Sequence, residues 1–194
     1  MPQKKDNSEK IRTQLDRNDW IQAATDILAE NGINGIRVEV LAKSFGVTKG
    51  SFYWHFKDRQ ELLSSVLQTW KEGRVNDIAK QTEITPGEEK AAALKLIEVY
   101  SANRNRKGLS IELAMRDWAR RDPEAARAVE EVDKVRLANA CKVLIATGIP
   151  EREAKARSLL LYAYVFGQSL MVYENFDANV LDLKQRVAEH IAFR

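Results

Sequence analysis

The residues most able to do chemistry gather between Val38 and Phe56, VEVLAKSFGVTKGSFYWHF. Small and polar side chains come first, Thr48, Lys49, Gly50 and Ser51, and the aromatic residues Tyr53, Trp54 and His55 follow. The Lys49 ammonium can reach acceptors on guanine, and its small neighbours let a backbone come close to base edges. Tyr53, Trp54 and His55 can donate hydrogen bonds to flanking phosphates. Thr48 is placed to cap a short helix whose first N–H groups also favour phosphate. A recognition helix that lays its first turn in the major groove needs this order of residues. Local charge agrees: between Ile36 and Lys57 the cations are Arg37, Lys43, Lys49 and Lys57, against the single acid Glu39.

Catalysis has little to work with. The chain has two histidines, His55 and His190, one cysteine, Cys141, and no Gly-rich phosphate loop. Its carboxylates alternate with Lys and Arg at helix-surface spacing, as in the Arg116-Asp117 and Arg120-Arg121-Asp122 clusters, which read as solvated faces. Neither an enzyme, a metal site nor a bound cofactor is expected. Cys141 reads as a small buried hydrophobe, and a lone cysteine without a secretory leader suggests a reducing, cytoplasmic setting. No apolar stretch is long enough for a membrane span.

The elements that must hold the Val38 to Phe56 segment are helices. Gly (9) and Pro (4) are scarce, helix formers dominate, and no alternating strand pattern occurs. Apolar spacing predicts a first helix from Arg17 to Asn31, capped by Asp16 and stopped by Gly32. A second runs from Val38 to Phe45, with Ala42 where a crossing helix must pass close, Gly46 in the turn and Val47 plugging the core beneath. A third spans Lys49 to Phe56. Asp58 and Glu61 form a capping box for a fourth. Five more follow: Pro86 to Asn103, opened by a Thr85–Glu88 box with proline at its first position, Leu109 to Arg120, Pro123 to Ala146, Pro150 to Asn175 and Ala178 to Ala192. The expectation is an all-α chain of about nine helices. Residues 1–60 form a helix-turn-helix domain, opened by a disordered, charged arm, and residues 61–194 form a helical effector-binding and dimerisation domain.

The stretch from Trp20 to Leu63, WIQAATDILAENGINGIRVEVLAKSFGVTKGSFYWHFKDRQELL, resembles the TetR family of transcriptional regulators. The likeness lies in the Ala23-Ala24 pair, the Gly32 stop, Leu41-Ala42, the Gly46 to Gly50 run and the Phe52 to Phe56 ending. It implies three DNA-binding helices joined by a fourth to a helical body that dimerises and holds a small-molecule pocket. By position it implies groove contacts from Thr48, Lys49, Gly50 and Ser51 and phosphate contacts from Tyr53, Trp54 and His55, with Lys57 and Arg59 supplying further charge. Two departures stand out. Arg37 occupies a place where Ser or Thr commonly caps the second helix, and Glu39 replaces a basic residue. A contact is therefore expected to be lost at Glu39, with Arg37 as its substitute.

Beyond Trp70 the resemblance is one of architecture. Met115 and Trp118 share a helix face and, with Tyr100 and Phe166, are the candidates for an effector pocket. The penultimate helix is apolar nearly all round, which calls for cover on two sides. A dimer interface is expected from Leu159, Tyr162, Leu170, Val180, Leu183, Val187 and Ile191. The functional expectation is a homodimeric repressor, released from a palindromic operator in double-stranded DNA by a small hydrophobic effector. An activator or a ligand-independent regulator is the alternative, ahead of an enzyme or a bare interaction module.

Overall fold

The Asp16 carboxylate accepts the Asp19 N–H at 2.9 Å while Asp19 accepts the Asp16 N–H at 2.8 Å, and this reciprocal cap opens α1 (Arg17–Asn31). In this computed structural model, residues 15–101, 106–173 and 175–193 are described, without the side chains of residues 99–101 and 106. The expected N-terminal arm up to residue 14 and the Tyr100 side chain lie outside the described residues. The remaining helices are α2 (Val38–Ser44), α3 (Lys49–Tyr53), α4 (Arg59–Gln81), α5 (Glu89–Ser101), α6 (Arg106–Ala119), α7 (Pro123–Ala146), α8 (Glu151–Ser169) and α9 (Val180–Phe193). Among the described residues these nine α-helices are joined by one 3-10 turn (Ile33–Gly35), and there is no strand. The expected all-α class holds.

Several helix ends differ from expectation, each for a local reason. Helix α3 stops at Tyr53 rather than Phe56, because the His55 and Phe56 N–H groups both turn back to the Phe52 carbonyl. Helix α5 does not begin at Pro86. Pro86 and Gly87 occupy a turn closed by the Glu88 N–H on the Thr85 carbonyl at 2.9 Å, and Gly87 sits at φ +88°, outside any right-handed helix. Helix α8 ends at Ser169, six residues before Asn175, where the Leu170 N–H reaches only three residues back to Gly167. The Asp58 cap on the Glu61 N–H is present at 2.9 Å, but the Glu61 carboxylate takes the Lys57 N–H instead of that of Asp58.

The largest buried cluster runs through α1, α2, α3, α4, α6 and α7, with Trp20, Leu28, Leu41, Phe52, Leu62 and Val132 among its members. Helix α1 packs against both α4 and α6, and α4 lies along α7. A second cluster joins α5, α7, α8 and α9 around Leu96, Ala140, Leu161, Val165 and Ala188. The expected division at residue 60 therefore falls beside a core that continues from the first three helices into the body.

Between α6 and α7 lies a network of charges. Arg136 donates to both Glu112 carboxylate oxygens, at 2.7 and 2.6 Å, and both residues are buried. Arg116 donates to both Asp133 oxygens, at 2.8 and 2.6 Å, and to Glu112 at 3.1 Å. Arg116, expected on a solvated face, is thus half-buried and paired, because α7 supplies the acid that α6 faces. Its neighbours Asp117, Arg120 and Arg121 are exposed as expected.

Candidate nucleic-acid interface

Helix α3 is short, and its position is fixed by aromatic packing on one side. Phe52 is fully buried, edge-on to Trp20 at 5.5 Å and stacked on Phe56 at 5.3 Å between ring centroids. Phe45 from the end of α2 meets the same Trp20 ring edge-on at 5.1 Å. Such ring pairs add roughly 0.5–1.5 kcal/mol each beyond burial. The turn between α2 and α3 depends on Gly46, at φ +67°, a conformation disfavoured for residues with a Cβ.

The opposite side of α3 faces solvent. Thr48, Lys49 and Gly50 are exposed, Ser51 is half-buried, and Tyr53 and Trp54 are 58% and 88% exposed. Trp54 is too open to contribute to any core within the chain. Thr48 has the extended backbone of an N-cap, but its hydroxyl makes no capping hydrogen bond. At Gly50 a Cβ would meet nothing closer than the Thr48 Oγ1 at 3.5 Å, so internal packing does not require a glycine there. His55 is half-buried, its ring centroid 6.4 Å from that of Trp20, and it faces the core more than Tyr53 or Trp54 does. Arg37, Lys43 and Lys57 are exposed.

Two arginines clamp this unit. Arg17 lies over the Phe56 ring at 4.1 Å and donates to the His55 carbonyl, to Glu61 at 2.8 Å and to Ser65 at 3.0 Å. The Lys57 N–H, then Arg17, hold the Glu61 carboxyl below its ordinary pKa. Arg59, expected to add charge for a phosphate, turns inward: its Nε donates to the Ile36 carbonyl at 2.6 Å and an Nη to that of Ile33 at 2.8 Å. It is a positioning residue that ties α4 to the 3-10 turn preceding α2. Helical periodicity pointed to neither clamp, because both bridge elements far apart in sequence.

The effector and dimer candidates separate. Met115 and Trp118 are buried with residues of α1, α4 and α7 in the first core cluster. Phe166 packs on the second cluster, with the Arg116 guanidinium 4.0 Å from its ring centroid. Tyr162 and Ile191, expected at an interface, are instead buried in the chain's own second core, since α8 and α9 turn those faces inward. The outward faces carry Leu159 and Leu160, 63% and 55% exposed, with Leu170, Leu181 and Val187, while Val180 and Leu183 are half-buried. Phe176, in the connection to α9, is 79% exposed and shares a groove with Leu160, Leu183 and Val187. Phe176 and Leu160 were absent from the expected interface, although the Leu159-Leu160-Leu161 triplet guarantees that one leucine must face outward on a helix.

A short exposed helix, set by a glycine turn on a helical body, defines the helix-turn-helix class of fold. Residues 21–66 match the family described as bacterial regulatory proteins, tetR family. It is 38% identical over 56 residues to the tetracycline repressor protein class A from transposon 1721 of Escherichia coli, covering 29% of this chain and 26% of that protein. The aligned part of the chain spans about a quarter of the length of the curated relatives it matches. A TetR transcription regulator from Haloarcula marismortui is similar in fold, with TM-score 0.70 and 18% identity, over 91% of this chain and 95% of that one. So is a transcriptional regulator from Saccharomonospora viridis solved in complex with choline, with TM-score 0.70 and 15% identity over 90% and 93%. Among the described residues no helix is long and apolar enough to cross a membrane.

Proposed function

We propose that this chain is a transcriptional regulator that binds double-stranded DNA as a homodimer and represses until a small hydrophobic effector releases it from a palindromic operator. The observation that carries the reading is the solvent face of α3, where Lys49, Gly50, Tyr53 and Trp54 stand exposed on a helix immobilised by buried Phe52 and Phe56. An exposed tryptophan and tyrosine beside four cations suit a polyanion, since each can donate to phosphate. Lys49 and Ser51 take the base edges, Tyr53, Trp54 and Lys57 the phosphates, and Arg37 a phosphate beside α2. Thr48, with its hydroxyl uncommitted to a cap, is available to the groove. His55, half-buried against Trp20, contributes from the margin. Residues 1–60 act as the reading head, and residues 61–194 as the body that pairs and switches.

The dimer is supported by the exposed leucines of α8 and α9, which a second copy would cover. A two-fold dimer sets its two heads about 34–36 Å apart, one helical turn of DNA, and so asks for a palindrome. That a fold of this kind can hold a small molecule is supported by the choline complex of the Saccharomonospora viridis neighbour, while the hydrophobic character of the effector is an expectation from the sequence. The decisive experiment is a gel-shift of purified, effector-free protein on duplexes flanking its own gene, with random-sequence competitor. Retention of one duplex against the competitor is expected, and equal competition by every sequence would sink the regulator reading.

A further inference from the structure

Glu39 is the single acid between Ile36 and Lys57, a stretch that also carries Arg37, Lys43, Lys49 and Lys57. It lies in the first turn of α2, and Lys49 lies in the first turn of α3. The Lys49 Nζ donates to the Glu39 Oε1 at 2.8 Å, across the gap between the two helices, with both side chains more than half exposed. An exposed ion pair of this kind contributes little to folding, about 0–1 kcal/mol. A carboxylate there also repels phosphate, so it weakens any non-specific hold on a polyanion. A charge that lowers affinity and barely stabilises the fold calls for a role in discrimination.

Hydrogen bonding first, then charge, holds the carboxyl below and the ammonium above their ordinary values, so both stay ionised at neutral pH. The ammonium has three donors and gives one to Glu39. The carboxylate has about four acceptor sites, and Lys49 uses part of that capacity. Donors and acceptors thus stand side by side, facing solvent at the start of the recognition helix. Among base pairs, G·C offers the complement in the major groove: O6 and N7 accept on guanine, and the N4 amino group donates on cytosine.

We propose that Glu39 is a specificity-determining residue, and that the Glu39–Lys49 pair reads one G·C pair in each half-site as a unit. The Lys49 ammonium donates to guanine while the Glu39 carboxylate accepts from cytosine N4. Glu39 also restrains Lys49, which cannot swing to a phosphate without leaving its partner. The proposal rests on the DNA-binding reading of α3.

The test is selection from a randomised duplex library with the full chain, comparing wild type, Glu39→Ala, Glu39→Gln and Lys49→Ala, each first checked for an unchanged thermal midpoint. Wild type is expected to enrich a half-site with one invariant G·C pair. Glu39→Ala should lower discrimination at that pair by about tenfold, while raising affinity for random DNA at low salt. In Glu39→Gln an amide replaces the acceptor-only carboxylate, so the same position should drift toward A·T, whose adenine suits an amide. Lys49→Ala should loosen that position too. If both Glu39 variants keep the G·C preference and gain affinity evenly across sequences, Glu39 is only a repulsive charge and the proposal fails alone. If wild type enriches no sequence, the DNA-binding reading fails and takes this proposal with it.

Discussion

A glycine in the second position of α3 is costly for the helix. At Gly50 a Cβ would make only an ordinary van der Waals contact with the Thr48 Oγ1, so Gly50→Ala should leave the fold intact and can stabilise it by up to about 1 kcal/mol through helix propensity. On the proposed DNA-binding reading, the same methyl would stand between α3 and the base edges. We expect a denaturation midpoint equal to or above wild type, together with weaker operator binding in the same preparation. Arg37 and Arg59 form a second contrast. Arg37 is exposed and makes no capping bond, whereas Arg59 is committed to two carbonyls. Arg37→Ala should leave stability unchanged and lower the slope of log affinity against log salt by about one per head. Arg59→Ala should do the reverse of this, losing about 1.5–3 kcal/mol of stability as its charge-assisted hydrogen bonds disappear. Chemical denaturation and a salt titration of binding, run on both variants, distinguish the two roles.

Helices α6 and α7 meet through apolar contacts and through the buried pairing of Glu112 with Arg136, flanked by Arg116 and Asp133. Removing one partner of such a pair leaves the other charged and desolvated. Glu112→Ala should therefore cost about 3–5 kcal/mol, measured as a drop in the urea midpoint at constant slope. A loss below 1 kcal/mol would mean that water reaches Arg136. The helices themselves were legible from local signals: α1 and α7 begin and end where their caps and apolar spacing put them. The Pro86-Gly87 start of α5 misled, because proline opens turns as readily as helices and the following glycine decided between them. The Glu112 network was not legible, since its partners lie 24 and 17 residues apart, on helices whose relative rotation periodicity does not specify.

At the scale of the whole molecule, the continuity of the core from α1 through α4 and α6 to α7 ties the first three helices to the rest of the described chain. A shift in the body therefore has a packed route to α3. The outward leucines of α8 and α9 supply a direct test of pairing that spares the interior. Leu159→Glu with Leu160→Glu alters two exposed positions and leaves Leu161 and Tyr162 in place. The double variant should sediment as a monomer of unchanged helix content and lose about 10²–10⁴-fold in operator affinity, because each head then binds alone. A double variant that still sediments as a dimer would place the interface elsewhere.

Sequence alone determined the all-α class, the helix-turn-helix from Val38 onward and the exposed chemistry of α3, because each is written in residues close together in the chain. A cap, a glycine turn and an apolar stripe act within about one or two helical turns, so nearest-neighbour physics is enough. Only the tertiary structure decided that Arg59 points inward, that Lys49 is held by Glu39, that Met115 and Trp118 are core, and that Leu160 rather than Tyr162 faces out. Those outcomes depend on how helices rotate and cross when they pack. Which face of a helix is covered is set by partners distant in sequence, and no local periodicity carries that information.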